Sequence, residues 1–157
     1  MNYPQYIELD FLHEFAVSES DTDEDKYPDT IPRYFIELLS EKGNKVFDPF
    51  LGHGTTAFIA ESMSRIPYGI EADEERYQWT AGQIENWSNI RHADAQDMAM
   101  LGLPKMDLCV TSPPFMAITH KWNPLVGGDK AFSGYDEYLK KMTTIFSHMK
   151  SVMKRGS

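Results

Sequence analysis

The sequence predicts an α/β fold in which a parallel sheet carries helices on both faces. Three observations carry this. Apolar runs of strand length alternate with helix-like stretches from residue 30 onward, a turn containing Gly52 and Gly54 joins one run to a helix, and Met106 to Val110 reads as a buried strand. A length of 157 residues suits one domain with a sizeable core, yet is short for a complete doubly wound enzyme.

Thr30 is placed to cap a helix in which Ile31, Phe35, Leu38 and Leu39 share one face, with Pro32 in the first turn and Gly43 beyond the end. The pattern then predicts a strand over 45–49, a helix over 55–65, a strand over 67–71, a helix over 74–86, a short strand over 89–93 and a strand over 106–111. The clearest helix is the last. Tyr138, Leu139, Met142, Ile145, Phe146, Met149, Val152 and Met153 keep the spacing of a buried stripe, Ser133 and Asp136 supply a start, and Lys154-Arg155-Gly156 a stop.

The formal charge is −9, but it is unevenly spread: residues 1–30 hold nine acids and one base, whereas beyond Phe115 seven bases face three acids. The acidity therefore belongs to an N-terminal arm, residues 1–26, rather than to the folded unit over 27–157. Segment 18–29 has almost no apolar content and reads as a solvated linker, with mimicry of DNA charge or a partner contact as the other readings. A single cysteine, Cys109, rules out an intramolecular disulfide. No apolar run reaches the roughly 18 residues of a membrane span, and a cytoplasmic protein is expected. The five histidines show no metal-ligand spacing, so no metal is expected.

Val46-Phe47-Asp48-Pro49-Phe50-Leu51-Gly52-His53-Gly54-Thr55-Thr56 reads as strand, glycine turn and helix start. Glycines there let the backbone approach a ligand closely, and the helix N-terminus offers unpaired N–H groups to a carboxylate or phosphate. Gly-x-Gly alone is shared with nucleotide-binding Rossmann domains and with plain tight turns. Asp48 discriminates, because an acid just before the glycines repels a dinucleotide's pyrophosphate but accepts from the ammonium of a methionine moiety. Glu71 ends the next strand, 23 residues after Asp48, and suits a carboxylate accepting both ribose hydroxyls; an exposed acid at a strand terminus is the alternative.

Thr111-Ser112-Pro113-Pro114-Phe115 follows the run from Met106 to Val110. Together with the glycine-turn segment, it makes the chain resemble the S-adenosylmethionine-dependent DNA methyltransferases that modify exocyclic amines, over about Tyr27 to Arg155. The resemblance implies a Rossmann-like class I methyltransferase fold, S-adenosyl-L-methionine as cofactor, DNA with a flipped base as partner, and methylation of the restriction–modification kind. It implies cofactor contacts from Asp48, Pro49, Phe50, Gly52, Gly54, Thr55, Thr56 and Glu71, with Asp94 near the adenine amine and Asp97 its near competitor. In the family a segment worded like Tyr27-Pro28-Asp29-Thr30-Ile31-Pro32 helps hold the cofactor's amino-acid end, with His more usual where Tyr27 stands.

Cytosine's exocyclic amine is a poor nucleophile, since its lone pair is delocalised into the ring. Acceptors aimed at its hydrogens favour the tetrahedral form, and Ser112 Oγ and the Pro113 carbonyl are the candidates. Pro113 and Pro114 fix φ and remove donors, which leaves carbonyls facing the pocket with little entropy to lose. Phe115 would stack on a base flipped from the duplex, which offsets about 1–3 kcal/mol of lost stacking. The Ser-Pro-Pro-Phe wording leans towards cytosine N4, since adenine enzymes of this kind more often carry Asp or Asn where Ser112 stands. N6-adenine methylation, RNA methylation and a non-catalytic S-adenosylmethionine-binding module are the competing readings. Carbon-5 methylation needs a thiolate on an exposed loop. Cys109 lies instead in an apolar strand and reads as core.

Residues 116–132 form a long stretch with little periodicity, in which His120, Lys121 and Trp122 suit a DNA-facing lid, with Trp122 as a satellite-core anchor the equal alternative. The amine motif follows the cofactor loop, whereas this wording is commonest in the reverse order. The resemblance also implies three further strands and a recognition region. Without them the sheet would end at the strand carrying Ser112, with a long apolar edge and an uncovered face, so a second chain or a missing C-terminal segment is expected to complete it.

Overall fold

The computed structural model describes residues 6–12, 15, 27–120, 122–126 and 134–156. Four strands, β1 (Lys45–Asp48), β2 (Ile66–Glu71), β3 (Ile90–His92) and β4 (Leu108–Cys109), form a parallel sheet in the order β3-β2-β1-β4. The helices are α1 (Thr30–Leu39), α2 (Thr55–Ser62), α3 (Glu74–Ala81) and α4 (Gly134–Val152). Short 3-10 turns at Trp87–Asn89 and Ala95–Met100 flank β3.

Successive residues of β1 serve opposite faces, as a pleated strand requires. Val46 joins Ile36 of α1, Ile59 and Ala60 of α2 and Leu108 of β4 on one side. Phe47 joins Ile70, Met98, Met106 and the α4 residues Ile145 and Val152 on the other. Both faces of β1 are therefore covered. What stays open is a groove of about 420 Å³ beside β4, lined by Ile31, Phe35 and Leu39 of α1, by Leu108 to Ser112 and by Met149.

That groove explains why α1 departs from the predicted single stripe. Pro32 and Ile36 are its buried residues, whereas Leu38 and Leu39 are 45% and 48% exposed. The helix has two apolar faces, one packed and one bordering the groove. Thr30 does not cap it: Asp29 holds the N-cap position without a side-chain cap, and the Thr30 hydroxyl donates to the Asp10 carbonyl at 2.5 Å. Asp29 is fully buried. Its N–H donates to the Leu12 carbonyl at 2.8 Å, and its carboxylate accepts from the Phe15 N–H at 3.1 Å. Phe15 stacks on Phe58 with ring centroids 5.2 Å apart, so described parts of the arm dock on the body. The acidic segment 16–26, Lys121 and Ser133 lie outside the described residues.

Two helices end earlier than their periodicity predicts. After α2, Ser64 adopts a left-handed φ of 63°, and the Arg65 guanidinium donates to the Ser40 carbonyl at 2.7 Å and the Met63 carbonyl at 2.9 Å, which ties the end of α2 to that of α1. After α3, the Glu61 carboxylate accepts from the Glu85 and Asn86 N–H groups, each at 3.0 Å, and Ile84 turns into the core. β4 is shorter than predicted, though Asp107 N–H donates to the Lys45 carbonyl at 3.0 Å and Val110 N–H to the Phe47 carbonyl at 3.1 Å beside it. On its other side Met106 pairs in parallel with Met153, just after α4. Among the described residues no helix is long and apolar enough to cross a membrane.

Candidate functional site

Parallel strands bring their carboxyl ends to one edge, where ligands of such sheets bind. Asp48 ends β1, Glu71 ends β2 and Asp94 follows β3. The turn after Asp48 depends on two glycines for different reasons. Gly54 has φ +81°, and a Cβ there would lie 2.5 Å from Thr80 Cγ2 of α3. Gly52 has φ +54°, but a Cβ there would meet nothing closer than the Phe50 carbonyl at 4.0 Å, so space lies open in front of the loop. Glu71 braces this turn: one carboxylate oxygen accepts from the Gly52 N–H at 2.6 Å and the other from the Asp73 N–H at 2.8 Å. Burial pushes its pKa up, against the pull of those two donors.

Asp48 is the electrostatic centre of the site. It is fully buried, and no Lys or Arg pairs with it among the described residues. Its Oδ1 accepts from the Phe50 N–H at 3.0 Å and from Thr111 Oγ1 at 2.6 Å, and its Oδ2 accepts from Thr56 Oγ1 at 2.7 Å. Burial is the main cause that raises its pKa to about 6; the three donors oppose it, and the negative Glu71 adds to it. Tyr27 Oη is hydrogen-bonded to Thr56 Oγ1, and burial beside Asp48 keeps this phenol protonated. Pro49 and Thr55 are buried, and Phe50 packs against the core beneath α4. Asp94 is exposed and caps the following turn, with its carboxylate accepting from the Gln96 N–H at 2.8 Å.

The second motif leaves β4 at the same edge. Ser112 is exposed, Pro113 and Pro114 are half-buried, and Phe115 is 80% exposed. Tyr138 of α4 donates its hydroxyl to the Pro114 carbonyl at 3.1 Å. The glycine turn and the proline pair thus meet through one carboxylate oxygen of Asp48, on the same end of the sheet. Beyond them, Met116 and Asn123 are buried while Ile118 and Trp122 are 78% and 55% exposed; His120 is also exposed. Cys109 sits in β4 with its thiol 3.9 Å from Met149 Sδ, and burial plus the nearby Asp48 charge push its pKa up to about 12. A thiol so held is no nucleophile.

Thr111 and Tyr138 are the participants that sequence reasoning left without a role. Thr111 was legible only as part of a motif, and Tyr138 as one of a core stripe, because their partners lie 63 and 24 residues away.

Residues 13–82 match the family described as DNA methylase. That match makes the segment similar to the DNA methylase family. Its curated relatives include the type II methyltransferase M.BglI of Bacillus subtilis, 38% identical over 80 residues, which are 51% of this chain and 23% of that protein. M.MjaI of Methanocaldococcus jannaschii is 44% identical over 48 residues, 31% of this chain and 16% of that one. The matches to M.BglI, M.BglII and M2.DpnII span about a fifth to a quarter of those proteins' lengths.

Among solved structures, TrmN from Thermus thermophilus superposes with a TM-score of 0.61 at 20% identity, over 82% of this chain and 36% of that one. SMU.1697c from Streptococcus mutans, solved in complex with SAH, gives 0.52 at 12% identity over 81% and 66%. The segment that matches the DNA methylase model therefore lies within a Rossmann-like class I methyltransferase fold. The residues present fit S-adenosylmethionine: Asp48 is a buried carboxylate with no Lys or Arg paired to it among the described residues, Gly52 fronts open space, and Glu71 stands one strand away.

Proposed function

We propose that this chain provides the cofactor site and amine pocket of a DNA methyltransferase that acts on the exocyclic N4 amine of cytosine. The observation that carries the reading is the Asp48 carboxylate, whose one oxygen accepts from both the cofactor loop at Phe50 and the amine turn at Thr111. Bound S-adenosylmethionine supplies an electrophilic methyl group on a sulfonium. Asp48 would take its ammonium, Glu71 its ribose hydroxyls and Asp94 its adenine amine. Ser112 Oγ and the Pro113 carbonyl would accept from the cytosine amine, and exposed Phe115 would stack on the flipped base. The cofactor, once bound, would supply the methyl group, while Ser112 Oγ and the Pro113 carbonyl would hold the amine hydrogens and the surplus proton would be lost to water. Ser112, rather than an acid or amide, is what favours cytosine N4 over adenine N6.

We infer also that the outer edge of β4 takes a further strand, from a second chain or from further sequence. The parallel pairing of Met106 with Met153 opens that ladder, and the apolar groove beside Leu108 to Ser112 continues it. Self-association through this edge is expected in its absence. A sedimentation experiment that finds a stable monomer with full methyl transfer would refute that inference.

Calorimetry with S-adenosylmethionine on wild type and Asp48→Ala tests the cofactor site, with binding expected only in the former. Nucleoside mass spectrometry of DNA and RNA treated with the full gene product tests the substrate. N4-methyldeoxycytidine supports the proposal; N6-methyldeoxyadenosine, or methylated ribonucleosides alone, would replace it.

A further inference from the structure

We propose that Thr111 is a positioning residue that couples the cofactor loop to the amine turn, so that a cation seated on Asp48 orders Ser112 and Pro113. This rests on the methyltransferase reading of the same site. Pro113 and Pro114 have no N–H, so the turn cannot be fixed by its own backbone donors at those positions. Side-chain anchors must do it instead. Among the described residues there are two: Thr111 Oγ1 donates to Asp48 Oδ1 at 2.6 Å on one side, and Tyr138 Oη donates to the Pro114 carbonyl at 3.1 Å on the other. Ser112 and Pro113 lie between these points, and neither has a hydrogen bond from its side chain or carbonyl among the described residues. The orientation of both acceptors is thus set by whatever fixes residues 111 and 114.

The Thr111 anchor is the one that senses the cofactor. Asp48 Oδ1 also accepts from the Phe50 N–H at 3.0 Å, and Oδ2 from Thr56 Oγ1 at 2.7 Å, which itself reaches the Val110 carbonyl at 3.3 Å. Among the described residues, the ionisable groups that interact with this carboxylate are Tyr27 before α1, Glu71 at the end of β2 and Cys109 in β4. None of them is cationic. When the carboxylate is protonated or poorly compensated its hold on Thr111 weakens, because a hydrogen bond to an ionised acceptor is roughly twice as strong as one to a neutral acceptor. A ligand ammonium would fix the ionised form and tighten the bond to Thr111. The methyl acceptor pocket would then be assembled only once the methyl donor is seated.

Hydrogen exchange read by mass spectrometry on the full chain, with and without SAH, tests this on wild type, Thr111→Val and Thr111→Ser. In wild type, SAH is expected to slow exchange both in the loop 50–58 and in the turn segment 111–120. Thr111→Val keeps the bulk of the side chain but not the donor. It should retain the slowing in the loop and lose at least about fivefold of it in the turn, in line with a charge-assisted hydrogen bond. Thr111→Ser should restore it, which a packing role alone would not. Should Thr111→Val not fold, as judged by amides of β2 and β3, Thr111→Ala gives the same comparison with less change in shape. Equal SAH-induced slowing of the turn in wild type and the donor-less variant would overturn the proposal and leave the cofactor site standing. Absence of slowing in the wild-type loop would overturn the cofactor reading itself.

Discussion

Replacing Gly54 by alanine tests whether the glycine turn is held by packing or merely by ligand access. Two penalties add at this position. The φ of +81° lies in the left-handed region, which costs a non-glycine residue roughly 1–2 kcal/mol. The new methyl would also sit 2.5 Å from Thr80 Cγ2 and 3.1 Å from Phe58, and Thr80 is fully buried in α3 and cannot retreat. Overpacking of a filled site costs about 1–3 kcal/mol. The total, about 2–5 kcal/mol, is a large part of the roughly 5–15 kcal/mol that holds a domain folded. Gly52→Ala is the control. Its φ of +54° carries the same backbone strain, but its methyl meets nothing closer than 4.0 Å and enters the open space where a cofactor would lie. Urea unfolding followed by circular dichroism should therefore show Gly54→Ala well below Gly52→Ala in midpoint. Calorimetry with SAH should show Gly52→Ala losing affinity while remaining folded. Coincident urea midpoints for the two variants, within about 0.5 kcal/mol, would refute the packing argument at Thr80.

Asp48 makes the free chain pH-sensitive in a direction opposite to that of a salt-bridged acid. Its pKa rises from 3.8 to about 6 on folding, so its protonated form favours the fold and stability falls as pH climbs through that window. Asp48→Asn should therefore gain on wild type in urea midpoint between pH 4 and 7, by up to about 3 kcal/mol, while losing cofactor binding; parallel pH profiles would count against it. Tyr138→Phe removes the donor to the Pro114 carbonyl and should cost about 0.5–1.5 kcal/mol, with faster amide exchange over 115–118 as the local signature. Cys109, with its pKa pushed up to about 12, should react with iodoacetamide at pH 8 at a rate on the order of 10³ below that of a free thiol, and urea should abolish the difference.

The strand and helix order from Thr30 to Val152 was legible because each element carries its own local pattern, and the expected parallel sheet follows from that alternation. The element ends were not, since they depend on distant partners. Periodicity carries a helix on to residue 86, but Glu61 on α2 collects the N–H groups of Glu85 and Asn86 and bends the chain away. In α1 the spacing of Ile31, Phe35 and Leu39 is genuine, yet it marks the groove, while Pro32 and Ile36 face the core. At the site, the motif residues Asp48, Glu71 and Ser112 came directly from the sequence. The tie between the motifs did not, because a bond between Thr111 and Asp48 spans 63 residues and has no periodicity to announce it.

The proline pair has a second effect, on assembly rather than on chemistry. A strand laid against the free side of β4 can exchange backbone bonds alongside Leu108 to Val110, but it finds no donor at residues 113 and 114. Pairing that begins at Met106 must halt there, so a newcomer at this margin can zip up to the pocket without sealing its mouth.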